Sequence, residues 1–170
     1  MSNAIQLRPR VVAGKRRFVI VASQFNAEYV QGLVDHATNE LRALAPAAEI
    51  ALHHVPGAFE IPVVVREVAL QKRADAILAL GVILQGKTNH AENLARSVTD
   101  ALQTIAVEHG VPVINAVLSL NDELEARERC LEDKINRGTE AARAAVGIAT
   151  VLLDLRQKKP TTAAVSATPH

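Results

Sequence analysis

The sequence predicts an α/β fold, a flavodoxin-like three-layer sandwich with a four-stranded parallel sheet flanked by helices. Three observations carry that expectation. Four short apolar runs (FVIVAS, EIALHHV, ILALGVIL and VPVINAVL) are separated by segments whose apolar residues recur at helical spacing. The third run is apolar without interruption, as expected of a strand covered on both faces. Each run ends in a polar or Pro/Gly turn that feeds a helix, and right-handed crossovers then favour a doubly wound sheet.

Residues 1–16 are rich in polar and basic groups and read as an arm. The first strand covers 18–23. Gln24, Phe25 and Asn26 make the following turn, with Asn26 as the expected helix cap. Over 27–44 the positions Tyr29, Val30, Leu33, Val34, Ala37, Leu41 and Leu44 repeat at helical spacing, and Pro46 stops the helix. Glu49–Val55 alternates and reads as the second strand, and Pro56-Gly57 turns the chain. Pro62 suits the first turn of a helix over 62–72.

The third strand spans 74–84. A patterned helix follows over 90–109 and is closed by Gly110. The fourth strand is placed at 111–118, followed by a capped turn at 119–122 and a charged helix at 122–133. Residues 135–138 interrupt, and a last helix covers 139–156 with Thr139 as its cap. One domain, 17–156, results. Residues 157–170, with two prolines among Thr and Ala, read as a disordered tail. The last helix is apolar on more than one face, which implies a subunit interface, the alternative being a helix central to the monomer.

Composition excludes several classes. Net charge is +1 and aromatics make up 2% of the 170 residues, so neither a nucleic-acid surface nor an acidic-membrane surface is expected. No apolar run reaches the length of a transmembrane helix, and Met1–Arg10 lacks the core of a secretory signal. The single cysteine, Cys130, fits a reducing cytoplasm. It lies in the charged run ARERCLED and reads as a structural thiol rather than a nucleophile. His53 and His54 are strand neighbours pointing to opposite faces, so they do not share a metal ion, and no Cys/His spacing supports zinc. No GxGxxG motif and no Ser–His–acid arrangement stands out.

The chemistry concentrates in the turns after the strands. In Leu80–Asn93 (LGVILQGKTNHAEN) a buried strand ends at Gly86, Lys87 and Thr88 and leads to His90 at a helix start. Backbone amides at a helix N-terminus favour an anion, Lys87 adds charge and Thr88 a hydroxyl; a plain strand–helix turn is the alternative. Gly-Lys-Thr alone is a weak signal, and a nucleotide-triphosphatase P-loop is rejected on the spacing of Gly81. His90 can move protons near neutral pH, or simply sit at the surface. Glu60 can accept hydrogen bonds from polyol hydroxyls, or stabilise the next helix. Phe25 and Phe59, two of three phenylalanines, would flank a flat heterocycle bearing a hydroxylated chain, or pack in the core.

Taken together, FN at 25–26, VPGAFEIP at 55–62, GVILQGKTNH at 81–90 and NRG at 136–138 resemble the lumazine synthases of riboflavin biosynthesis, over about residues 17–155. The resemblance implies a cofactor-free condensation of 5-amino-6-(D-ribitylamino)uracil with 3,4-dihydroxy-2-butanone 4-phosphate. It implies proton transfer by His90 and stacking by Phe25. Ala58, Phe59 and Glu60 would hold the ring and ribityl chain, with Val82, Ile83 and Leu84 lining the pocket through their backbone. Lys87, Thr88 and Arg129 would bind phosphate, with the arginine side of the site supplied by an adjacent subunit. Pentamers, sixty-subunit shells and association with riboflavin synthase are further implications, in the cytoplasm. The sequence departs from the family pattern at Asn115, where an aromatic residue usually closes the ring pocket across the interface. It also departs at Ala116, at Asp133-Lys134-Ile135 and at Arg137. The Asn115 change leaves a second reading open: a non-catalytic flavin- or lumazine-binding protein on the same scaffold.

Overall fold

The computed structural model describes residues 7–86 and 89–157. Its elements follow the expected alternation: β1 (Arg17–Ser23), α1 (Ala27–Leu44), β2 (Glu49–Val55), a 3-10 turn (Ala58–Glu60), α2 (Ile61–Leu70), β3 (Ala76–Leu84), α3 (His90–His109), β4 (Val113–Leu120), α4 (Glu123–Cys130) and α5 (Arg137–Gln157). The four strands form one parallel sheet in the order β2-β1-β3-β4. The chain runs outward from β1 to β2, then returns past β1 to add β3 and β4. The direction of winding therefore reverses between β1 and β3, where doubly wound sheets open a crevice at the strands' carboxyl ends.

Period-two alternation sorts the strand residues between two cores. Phe18, Ile20 and Ala22 of β1 face the layer built by α1, α4 and α5. Val19 and Val21 face α2 and α3. β3 is buried from Ala76 to Ile83 because both faces are covered, which accounts for its uninterrupted apolar sequence. β2 is an edge strand and is largely exposed, in keeping with its alternating sequence.

Several boundaries differ from those predicted, each for a local reason. β4 begins at Val113 because Pro112 has no N–H to donate; its carbonyl instead accepts from the Ile77 N–H at 2.9 Å. Ser119 and Leu120 accordingly belong to the strand. β3 begins at Ala76 because Asp75 serves as its anchor: its carboxylate accepts from the Arg17 N–H at 2.7 Å. α2 ends at Leu70, and the turn after it passes through Lys72 at φ 51°.

The charged helix stops at Cys130 rather than 133. At its start Asp122 accepts from the Glu125 N–H at 2.8 Å, and the Glu125 carboxylate accepts from the Asn121 N–H at 3.0 Å, a reciprocal cap. At its end Asn136 takes over. Its Nδ2 donates to the carbonyls of Cys130 (2.8 Å) and Glu132 (3.1 Å), while its Oδ1 accepts from the N–H groups of Gly138 (2.9 Å) and Thr139 (3.3 Å). Asn136, not Thr139, therefore caps α5, and the interruption read from the sequence is a shared helix stop and start.

Close backbone approach fixes the α1–α4–α5 layer. A Cβ on Gly138 would lie 2.3 Å from the Leu33 carbonyl oxygen of α1, and one on Gly32 would lie 2.4 Å from the Cys130 carbonyl oxygen. Only glycine permits both contacts. Cys130 is fully buried there, and burial pushes its thiol up to about 12, so it is an inert structural residue as expected.

The arm is not free where it is described. The Val12 N–H donates to the Leu44 carbonyl at 2.8 Å, and Arg8 pairs with Glu40 at 2.9 Å. Glu40 also receives Arg143 of α5 at 2.8 Å. Burial raises the Glu40 carboxyl, but the hydrogen bonds and charges of the two guanidinium groups outweigh this and hold it below the usual carboxylate range. α5 buries Ala141, Ala142, Ala145, Val146 and Ala149, yet leaves Ile148, Val151 and Leu155 exposed along its outer side. No described helix is long and apolar enough to cross a membrane.

Candidate active site

The site forms where the sheet's winding reverses. Phe25 stands in the turn after β1 and is 73% exposed, an aromatic ring without cover. Asn26 follows at φ 56°, ψ 47°. It opens α1 through its backbone carbonyl, but its side chain does not cap that helix. Instead Nδ2 donates to the Val82 carbonyl of β3 at 2.8 Å. After β2, Pro56-Gly57 turns the chain into the 3-10 turn, which runs directly into α2 with Pro62 in its first turn. That turn buries Ala58, points Phe59 outward at 66% exposure and leaves Glu60 half-buried at the start of α2. His90 is the first residue of α3 and is exposed.

These pieces enclose a cavity of about 420 Å³. Phe25, Ala58, Phe59, Glu60, Val82, Ile83, Leu84 and His90 all line it, so eight of the residues singled out from the sequence come together in space. The walls are aromatic and aliphatic, with one carboxylate and one imidazole. The N-terminal ends of α2 and α3 both open on it, and such ends favour negative charge. A volume of this size suits a bicyclic or similarly sized ligand with a polar tail.

Lys87 and Thr88 lie outside the described residues. Asn115 and Arg129 do not line the cavity. Asn115 lies across α3 in a separate groove, where Nδ2 donates to the Thr99 hydroxyl at 3.0 Å and Oδ1 accepts from the Val117 N–H at 3.0 Å. Arg129 is buried on α4. Both stand away from this chain's own pocket.

The P-loop question is decided by structure, not by spacing. Gly81 stands five residues before Gly86, so GVILQGKT does have the P-loop spacing, contrary to the sequence reading. However, Gly81–Leu84 is strand, paired in register with Val117–Leu120 of β4. Those residues form no loop that could wrap a polyphosphate. Asn26 also lines the cavity, which the expectation of a helix cap does not reveal. Ala91 and Leu94, the inward residues of α3's first turns, also line the cavity.

A family model described as 6,7-dimethyl-8-ribityllumazine synthase matches residues 15–152, which include the whole sheet and all the described cavity residues. The chain belongs to the 6,7-dimethyl-8-ribityllumazine synthase family. Among its relatives, the 6,7-dimethyl-8-ribityllumazine synthase of Leptothrix cholodnii is 39% identical over 140 residues, 82% of this chain and 88% of that one. The protein of the same name from Nitrosomonas europaea is 38% identical over 137 residues, covering 80% and 81%. That from Nitrosospira multiformis is 33% identical over 150 residues, covering 88% and 91%. A four-stranded parallel sheet with helices on both faces is consistent with the lumazine synthase fold.

Proposed function

We propose that the chain catalyses the lumazine synthase condensation, joining 5-amino-6-(D-ribitylamino)uracil to 3,4-dihydroxy-2-butanone 4-phosphate to give 6,7-dimethyl-8-ribityllumazine, the penultimate step of riboflavin biosynthesis. The observation that carries this is the cavity at the sheet's reversal, which sets Phe25, Glu60 and His90 around one space in a chain of that family. The ribitylamino-uracil amine attacks the ketone; imine formation releases water, phosphate leaves, and ring closure with a second dehydration completes the lumazine. No redox partner or cofactor is needed for that balance.

Each residue has a role that fits its position. Phe25 stacks on the pyrimidine. Ala58 and Phe59 hold the ring, and Glu60 accepts from a ribityl hydroxyl. The end of β3, Val82 to Leu84, forms the floor. His90 takes protons from the amine and returns them to the departing oxygens. Lys87 and Thr88 bind the phosphate, as the resemblance implies.

Asn115 and Arg129, which stand away from their own chain's cavity, are assigned to the site of an adjacent copy. Arg129 there supplies a guanidinium to the phosphate. The assembly is proposed to be built on pentamers, and the exposed apolar side of α5 supports contact between copies. Association with riboflavin synthase and a cytoplasmic location complete the reading.

The deciding experiment mixes both substrates with the purified chain and follows lumazine absorbance above the uncatalysed rate. Formation above that background is the expected result. No excess, with riboflavin still bound, would overturn the enzyme in favour of a binding protein.

A further inference from the structure

The ladder between β1 and β3 ends at Ala22↔Leu80, yet β3 continues to Leu84. Beyond Leu80 its β1-facing edge has no strand partner, and this is the stretch that floors the cavity. The Asn26 side chain bridges the gap. Its Nδ2 donates to the Val82 carbonyl at 2.8 Å and so extends the join between the two strands past their last backbone pair. Asn26 adopts φ 56°, one of two non-glycine residues with positive φ among those described. Asparagine is the side chain that both tolerates this conformation and offers an amide donor. Its covalent neighbour Phe25 is 73% exposed; the turn that carries this ring is tied to β2 by the Gln24 N–H, which donates to the Val55 carbonyl at 2.8 Å, and to β3 by the Asn26 side chain.

We propose that Asn26 is a positioning residue for heterocycle binding: its tether to Val82 fixes the turn that carries Phe25, and it acts on the ligand only through that ring. The proposal rests on the reading of the cavity as the ribityl-heterocycle site. It separates the side chain from the backbone. The helix-opening bonds, from the Tyr29 N–H (3.1 Å) and the Val30 N–H (3.2 Å), go to the Asn26 backbone carbonyl and survive any substitution that keeps the conformation.

Asn26→Gly keeps the left-handed backbone and loses the donor. Asn26→Asp tolerates the same backbone and sets a carboxylate, unable to donate, against a carbonyl. Both are expected to raise KM for the uracil substrate, and Kd for riboflavin as a probe, by roughly 3- to 10-fold while kcat stays within about twofold. In a Phe25→Ala background, Asn26→Gly is expected to change neither constant further. Full additivity of the two substitutions would overturn the proposal, as would unchanged binding accompanied only by a lower melting temperature.

A ligand-free measurement keeps this test separate from the enzymatic reading. With fluorophenylalanine incorporated, the three phenylalanines give separate fluorine resonances. That of Phe25 is expected to sharpen and move toward its random-coil position in both Asn26 variants. An unchanged Phe25 resonance overturns the tether even if the enzyme reading stands. A shifted resonance supports it even if the wild type makes no lumazine.

Discussion

His90 is the residue on which turnover depends in this reading. It begins α3, is exposed to the cavity, and faces Glu60 and Phe25 across a space of about 420 Å³. His90→Ala is expected to lower kcat/KM by roughly 10²–10⁴-fold, the usual worth of a positioned proton-transfer group, while riboflavin affinity changes little. Lumazine initial rates set beside a binding titration measure both; equal losses in the two would deny a proton-transfer role. Most of this pocket is legible in the sequence, because its residues cluster after three strands, at Phe25-Asn26, at Gly57–Glu60 and from Val82 to the start of α3, and strand ends are where sites form. The proposal that Asn115 and Arg129 serve a neighbour's cavity rests on the resemblance alone, since no local pattern in a sequence carries that information. The sequence context of Asn26 allows a cap; that its side chain turns toward β3 instead follows from a left-handed backbone that no composition rule announces.

At the scale of elements, the packing of α1 against α5 carries two expectations. Gly138→Ala places a methyl 2.3 Å from the Leu33 carbonyl oxygen, so the helices must separate; a loss of about 1–3 kcal/mol is expected, seen as a melting temperature several degrees lower. Glu40 joins Arg8 of the arm to Arg143 of α5. Its carboxyl is held below the usual range in the folded chain, so its contribution is complete above the unfolded carboxylate value of about 4.3 and fades as pH falls through the lower folded value. Glu40→Gln is therefore expected to cost about 1–3 kcal/mol at pH 7, and the gap to wild type should close below about pH 4 in denaturant titrations. A gap that persists in acid would assign the loss to packing instead. The element boundaries divide along the same physical lines. The predicted end of α3 at His109 agrees with the structure because Gly110 closes the helix in the left-handed conformation (φ 63°) that glycine favours. α4 and α5 were misplaced because one buried asparagine ends the first and begins the second, and a cap whose bonds run both ways looks, in sequence, like a break.

At the scale of the molecule, the inner side of α5 packs on α1 and the sheet, and its outer side leaves Ile148, Val151 and Leu155 open. An over-apolar last helix has two explanations, a central position or a subunit contact. The inner stripe accounts for its alanines, and the outer stripe is the surface on which the proposed contact with another copy would form. Val151→Lys is expected to leave the monomer's circular dichroism unchanged, since the side chain is half-exposed, and to lower the mass seen by light scattering. A full-sized assembly carrying the charge would place the contact elsewhere.

The two glycine contacts around α1 also bear on how this chain can change over time. At Gly138 the obstructing atoms are all main chain of Leu33, and at Gly32 the nearest is the Cys130 carbonyl oxygen. A crowded side chain can be relieved by trimming its neighbour, but a carbonyl cannot be mutated away. Substitutions at these two sites therefore lack the second-site route by which cores usually drift. A suppressor screen begun from Gly138→Ala should return true revertants far more often than compensating changes, although the position lies on the opposite face of the sheet from α2 and α3.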